Sequence, residues 1–203
     1  MNPMPRCPDI PMHRLAILLL PVFLFPRFMT TMQAVPEHRS SDGGHMFQLT
    51  SPSFQSESDI PAKFTCQGED ISPELAWKDA PAGTRTFALI VHDPDAPRAG
   101  GFTHWVVYNI PASVRQIPQD APKGDQLPGG GIQGRNDGGR VGYMGPCPPS
   151  GTHRYYFRLY ALDAELNLQP GAGKDDLEQA MQGHLLQKAE LMGRYRKTSG
   201  KAA

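Results

Sequence analysis

Thr86-Phe87-Ala88-Leu89-Ile90-Val91-His92-Asp93 is an apolar run that closes on an acid, and Pro94-Asp95-Ala96-Pro97 follows at once. β-branched and aromatic residues of this kind favour a pleated strand, whose side chains alternate faces. Asp93 therefore shares a face with Phe87, Leu89 and Val91. Nine residues beyond Asp95 a second such run opens, His104-Trp105-Val106-Val107-Tyr108-Asn109-Ile110. Parity groups His104 with Val106, Tyr108 and Ile110. A connection this short suggests neighbouring antiparallel strands, which would bring Asp93 and His104 to one edge of a sheet.

A third run, His153-Arg154-Tyr155-Tyr156-Phe157-Arg158-Leu159-Tyr160-Ala161-Leu162, repeats the arrangement. Here His153 shares a face with Tyr155, Phe157, Leu159 and Ala161. One ionisable group at the end of an apolar row can simply cap its strand at the solvent boundary. Three of them are costly to desolvate unless they converge on each other or on a ligand, so the pattern implies a pocket.

The segment from Pro118 to Thr152 is too long for an ordinary connection and rich in glycine and proline, which marks it as functional or disordered. Its last part, Gly142-Tyr143-Met144-Gly145-Pro146-Cys147-Pro148-Pro149-Ser150-Gly151-Thr152, runs directly into His153 and must reach the same edge. Glycine permits close backbone approach and proline stiffens the remainder, so such a loop can aim N–H groups at an anion. Gly129 to Gly139 reads equally well as a solvated, mobile loop.

These motifs together resemble the phosphatidylethanolamine-binding proteins, in particular their bacterial Raf kinase inhibitor-like branch. The resemblance rests on Asp93 to Pro97, His104 with Trp105, Gly145 to Pro149, and His153-Arg154-Tyr155. Phe64-Thr65-Cys66, then Ser72, Pro73, Leu75 and Trp77, and Gln133 to Asp137 add to it, so that it spans about Phe47 to Lys197. It implies a mainly β fold, a Greek-key β-sandwich with a few short helices, and a small cavity for phosphate-like groups or phospholipid head groups. Carried over by motif, the cavity would be lined by Asp93, Asp95, His104, Gly145, Pro146, Cys147, Pro148, Pro149, His153 and Tyr155. Neither a cofactor nor a catalytic residue is implied. The loop before His153 is shorter than in the animal members, and Pro146 and Cys147 stand where those carry small residues. Kinase inhibition does not transfer on pocket residues alone; a regulatory role and an unidentified protein target stay open.

Two carboxylates in an anion site require an explanation, because like charges at short range repel. Either they orient His104 and His153 and favour their protonated donor form, or one of them meets the ammonium of an ethanolamine-like group. Both imply affinity that falls as pH rises through the histidine range. The alternative from another class is a metal-dependent hydrolase using His92, Asp93, Asp95, His104 and His153. Against it, His92 falls on the opposite strand face from Asp93, and no HExxH pair occurs. No GxSxG turn or Walker loop is present, and Gly129, Gly131 and Gly134 lack the strand and helix that a dinucleotide loop needs.

The 203 residues carry 20 basic and 20 acidic side chains, a formal net charge of zero, so nothing recommends nucleic acid as a partner. Residues 1–45 read apart from a domain over 46–203. Arg6, His13 and Arg14 precede the apolar run Leu15 to Phe25, which is too short to span a bilayer and right for a signal-peptide core, with cleavage near Ala34. That implies a periplasmic or secreted protein. The alternative is a cytoplasmic one starting at Met46, with a misassigned extension before it. Either processing removes Cys7 and leaves Cys66 and Cys147, which could pair and tether the pocket loop in an oxidising compartment and would stay reduced in the cytosol. Leu177, Met181, Leu185, Ala189 and Met192 recur about every four residues behind Asp175, Asp176 and Glu178, which predicts a C-terminal amphipathic helix. Self-association as a homodimer stays open.

Overall fold

The computed structural model describes residues 46–198, so the signal-like run, the linker before Met46 and Cys7 lie outside the described residues. The elements are β1 (Gln48–Thr50), β2 (Leu75–Lys78), β3 (Thr86–Asp93), β4 (Phe102–Pro111), β5 (Gln116–Ile117), β6 (Ile132–Gln133), β7 (Thr152–Leu162), α1 (Lys174–Ala180) and β8 (Leu185–Arg196), with one 3-10 turn at Ala62–Phe64. They form two antiparallel sheets, β1-β2-β5 and β6-β4-β3-β7-β8. The spatial order β7-β3-β4-β6 places the fourth strand of this set beside the first, which is a Greek key.

The main core lies between the sheets: Leu49, Leu75, Trp77 and Ile117 from the smaller one meet Phe87, Leu89, Val91, Trp105, Phe157 and Leu159 from the larger. Phe87 sits between Phe47, stacked at 5.9 Å, and Trp77, edge-on at 5.5 Å. A second cluster covers the outer face of the larger sheet, where Ala88, Ile90, Val106 and Tyr108 pack on Leu177 and Met181. With both faces covered, β3 is buried along its whole length, which is why its sequence is continuously apolar rather than alternating.

The runs that carry Asp93, His104 and His153 lie side by side: β3 pairs antiparallel with β4, as expected, and on its other edge with β7. The parity expected for β4 is corrected by two register shifts in the β3–β4 ladder. Val91 pairs with Trp105 and His92 with Thr103, leaving His104 as the extra residue of a bulge. It thereby leaves the outward row of Val106 and Tyr108 and joins the inner side. The second shift leaves Asn109 unpaired at φ 54°, where its amide donates to the Leu166 carbonyl and accepts from the Leu166 N–H. Ile110 accordingly returns to the inner face.

The C-terminal helix is shorter than its periodicity suggests: it carries Leu177, ends at Ala180 and is capped by Met181. Leu185, Ala189 and Met192 belong to β8, which pairs with β7 along nearly its full length. A spacing of four residues returns to the same face of a strand as well as of a helix, so Leu185 and Ala189 fit either element. The distinguishing alternation is Ala189, Leu191 and Tyr195 buried against Lys188, Glu190, Arg194 and Arg196 exposed. The stretch Gly129 to Gly139 is pinned rather than freely solvated. Gln133 accepts from the Trp105 indole at 2.7 Å and donates to the carbonyls of Pro122 and Gly124, while Asn136 accepts from the N–H groups of Gly138 and Arg140.

Candidate functional site

The end of β3, the bulge of β4 and the start of β7 bring Asp93, His104 and His153 together, all buried. The Nδ1–H of His153 donates to Asp93 Oδ2 at 2.8 Å. The backbone N–H of Asp95 donates to Asp93 Oδ1 at 2.8 Å, an Asx turn that Pro94 helps to fix. Burial, together with the nearby Asp93 carboxylate, pushes the Tyr155 pKa well above the ordinary 10, so its hydroxyl stays protonated. A buried carboxylate is tolerable when its lone pairs are matched in this way.

His104 is held differently. Its Nδ1–H donates to the Met144 carbonyl at 2.8 Å, and its ring stands edge-on to Tyr155 at 5.2 Å. Burial lowers its pKa below 6.5, against the opposing pull of the Met144 carbonyl and of Asp93. This imidazole is therefore neutral near pH 7.

These groups border a cavity of about 280 Å³. Its polar lining consists of Asp93, His104, His153, Tyr155 and Arg98, and its walls are Phe102, Met144, Pro97, Ala96 and the Cys147-Pro148-Pro149 segment. Seven of the expected residues, Asp93, His104, Cys147, Pro148, Pro149, His153 and Tyr155, thus meet at one cavity. Three do not line it. Asp95 turns to Arg154, accepting from its Nε at 2.9 Å, its guanidinium NH2 at 2.7 Å and its backbone N–H at 2.9 Å. That bidentate pair holds its pKa at about 2. Gly145 lies behind the wall, its N–H donating to Asp70 Oδ1 at 2.6 Å. A Cβ there would come within 2.6 Å of the Phe64 carbonyl oxygen, so the loop can cross at this point only as glycine. The Pro146 carbonyl accepts from the Cys66 N–H at 3.1 Å, and Cys66 and Cys147 form a disulfide.

The expectation that two carboxylates orient two imidazoles is corrected accordingly. Asp93 holds His153, a backbone carbonyl holds His104, and an arginine holds Asp95. Among the described residues no three His, Cys, Asp or Glu side chains are grouped so as to hold a metal ion, which leaves the hydrolase alternative without a ligand set. His92 faces away as its parity predicts, opposite Tyr156 of β7, with its pKa lowered chiefly by burial. Ala96, Pro97, Arg98 and Met144 fall outside the expected lining because they sit in connections rather than in periodic runs, and Phe102 because it opens β4 ahead of the run read from His104. Phe102, two positions before His104, was the most accessible signal.

The family model for the phosphatidylethanolamine-binding proteins matches residues 50–196. A UPF0098 protein of Methanothermobacter thermautotrophicus is 50% identical over 149 residues, covering 73% of this chain and 98% of its own length. Another, from Aquifex aeolicus, is 49% identical over 160 residues, covering 77% of this chain and 92% of its own. Among solved structures, a phosphatidylethanolamine-binding protein homologue from Chlamydia trachomatis is similar with a TM-score of 0.70 at 43% identity, covering 75% of this chain and 99% of its own. E. coli YBCL, described as a member of the mammalian PEBP family, gives a TM-score of 0.71 at 34% identity, with coverage of 75% and 99%. The Greek-key sandwich, the buried Asp93–His153 pair at its edge and this match across the described domain agree on one assignment: the chain belongs to the phosphatidylethanolamine-binding protein family.

Proposed function

We propose that this protein is a non-catalytic binding module whose cavity takes a phosphate-bearing small molecule or a phospholipid head group. The observation that carries this reading is the buried Asp93, His153 and Tyr155 set in a cavity whose remaining walls, His104 and Arg98 apart, are apolar. A few convergent polar groups inside apolar walls are the usual construction of a small-ligand site. With its Nδ1–H donated to Asp93, His153 keeps Nε2 for a ligand, as an acceptor from a protonated phosphate oxygen when the ring is neutral and as a donor when it is charged, and Asp93 fixes the ring as a carboxylate partner does. The Asp–His pair resembles part of a catalytic triad, but no serine or threonine lines the cavity and the Cys147 sulfur is in a disulfide. A triad-type route through a serine, threonine or cysteine thus lacks its nucleophile. The same disulfide supports the exported location over the cytoplasmic one, since such bonds persist in oxidising compartments.

Calorimetric titration of the full chain with phosphate, phosphoethanolamine and ethanolamine tests the reading. The first two should bind and ethanolamine should not; binding of ethanolamine alone, or of none of the three, would refute it.

A further inference from the structure

We propose that Arg98 is the cation that makes the cavity an anion site, and that it reaches the anion by leaving Asp137. This rests on the anion-binding reading of the cavity and deepens it. An anion entering beside buried Asp93 meets a like charge, so a positive partner must come from the lining. The candidates are few. His104 is neutral and has given its Nδ1–H to Met144. Any charge on His153 is already matched by Asp93 at 2.8 Å. Arg154 is engaged by Asp95 in a bidentate pair and does not line the cavity. Arg98 is left as the one permanently charged cation on the lining, among the described residues.

Its present partner holds it loosely. A single guanidinium nitrogen lies 3.7 Å from Asp137 Oδ2, and the Arg98 side chain is 53% exposed. The guanidinium also hangs over the Phe102 ring at 5.9 Å, against the cavity wall. A partly exposed pair at this distance contributes little and is readily exchanged. Asp137 does not depend on it, because the same Oδ2 accepts from the Thr103 N–H at 2.7 Å. Arg98 lines a second, polar cleft of about 380 Å³ as well, which Asp137, Lys174, Asp175 and Asp176 also border. It therefore stands on the ridge between the two openings, with an acid on one side and the cavity on the other. A planar, forked guanidinium in that position suits a phosphoryl group better than a carboxylate met through one nitrogen.

The test is phosphate affinity measured by calorimetry at one fixed pH and ionic strength for wild type, Arg98→Gln, Arg98→Lys and Asp137→Asn. Arg98→Gln should weaken binding about ten-fold or more, Arg98→Lys should recover part of the loss, and Asp137→Asn should tighten it a few-fold by removing the competitor. The asparagine keeps an oxygen to accept from the Thr103 N–H, so the loop is preserved. Phosphate affinity of Arg98→Gln within about two-fold of wild type, or of Asp137→Asn unchanged, would overturn the inference and leave the cavity reading standing. A wild type that binds neither phosphate nor phosphoethanolamine would overturn both.

Discussion

Three residues at the site owe their chemistry to partners that a linear reading does not reveal. Asp95 stands two positions from Asp93 and looks equivalent to it, yet Arg154 claims it from the start of β7, 59 positions away. Residue type made the acid visible, whereas its direction depended on a turn and on long-range packing. His104 was legible as a site residue, but its state was not, because its neutral form follows from burial and from the Met144 carbonyl. A histidine whose folded pKa lies below its unfolded value contributes stability that is complete above about pH 6.5 and is lost as pH falls, because the unfolded chain takes up the proton first. Melting temperature measured from neutral to acidic pH should therefore fall below that point, and His104→Asn, which retains an N–H donor for Met144, should flatten this part of the profile. An identical acid-side slope in the variant would remove His104 as its source. Gly145 makes a related prediction: Gly145→Ala should lower the melting temperature, because the added carbon meets the Phe64 carbonyl and Asp70.

At the scale of elements, the strands around the cavity were readable because each is a long run of apolar and β-branched residues ending in a titratable group. The β3–β4 pairing follows from a short connection, whereas the place of β7 beside β3 was not readable, because the long Pro118 to Thr152 segment separates it from β4. Bulges are not visible in such a reading. The one at His104 adds a residue to a single strand and brings an imidazole inward that parity points outward. β8 was misread for a different reason, the coincidence of four-residue spacing with both periods. The two readings separate at Leu185, which is 51% exposed, and Leu191, which is 3% exposed and pairs with Phe157. Leu191→Ala should cost about 2–4 kcal/mol in denaturant unfolding, whereas Leu185→Ser should be close to neutral. A helix carrying Leu185 on its buried stripe would give the reverse order.

At the scale of the molecule, two sheets and an outer helical layer hold a site whose wall is tied to the sandwich by the Cys66–Cys147 disulfide, across a sequence separation of 81. Losing a native disulfide typically costs about 2–5 kcal/mol, and a loop this long falls toward the upper end, so Cys66→Ser with Cys147→Ser should lower stability by that order. The fold should survive, since Gly145 to Asp70, Tyr143 to Phe64 and Cys66 to Pro146 anchor the same segment without it. Loss of all cooperative unfolding in that double variant would contradict this division of labour. The central claim is that phosphate enters the cavity and meets the free nitrogen of His153. It is tested most directly by nitrogen-resolved NMR of the imidazoles during a phosphate titration. The account predicts a saturable shift at His153 Nε2 that disappears, together with binding, in His153→Ala. Saturable phosphate binding that leaves the His153 ring unmoved and survives His153→Ala would contradict it.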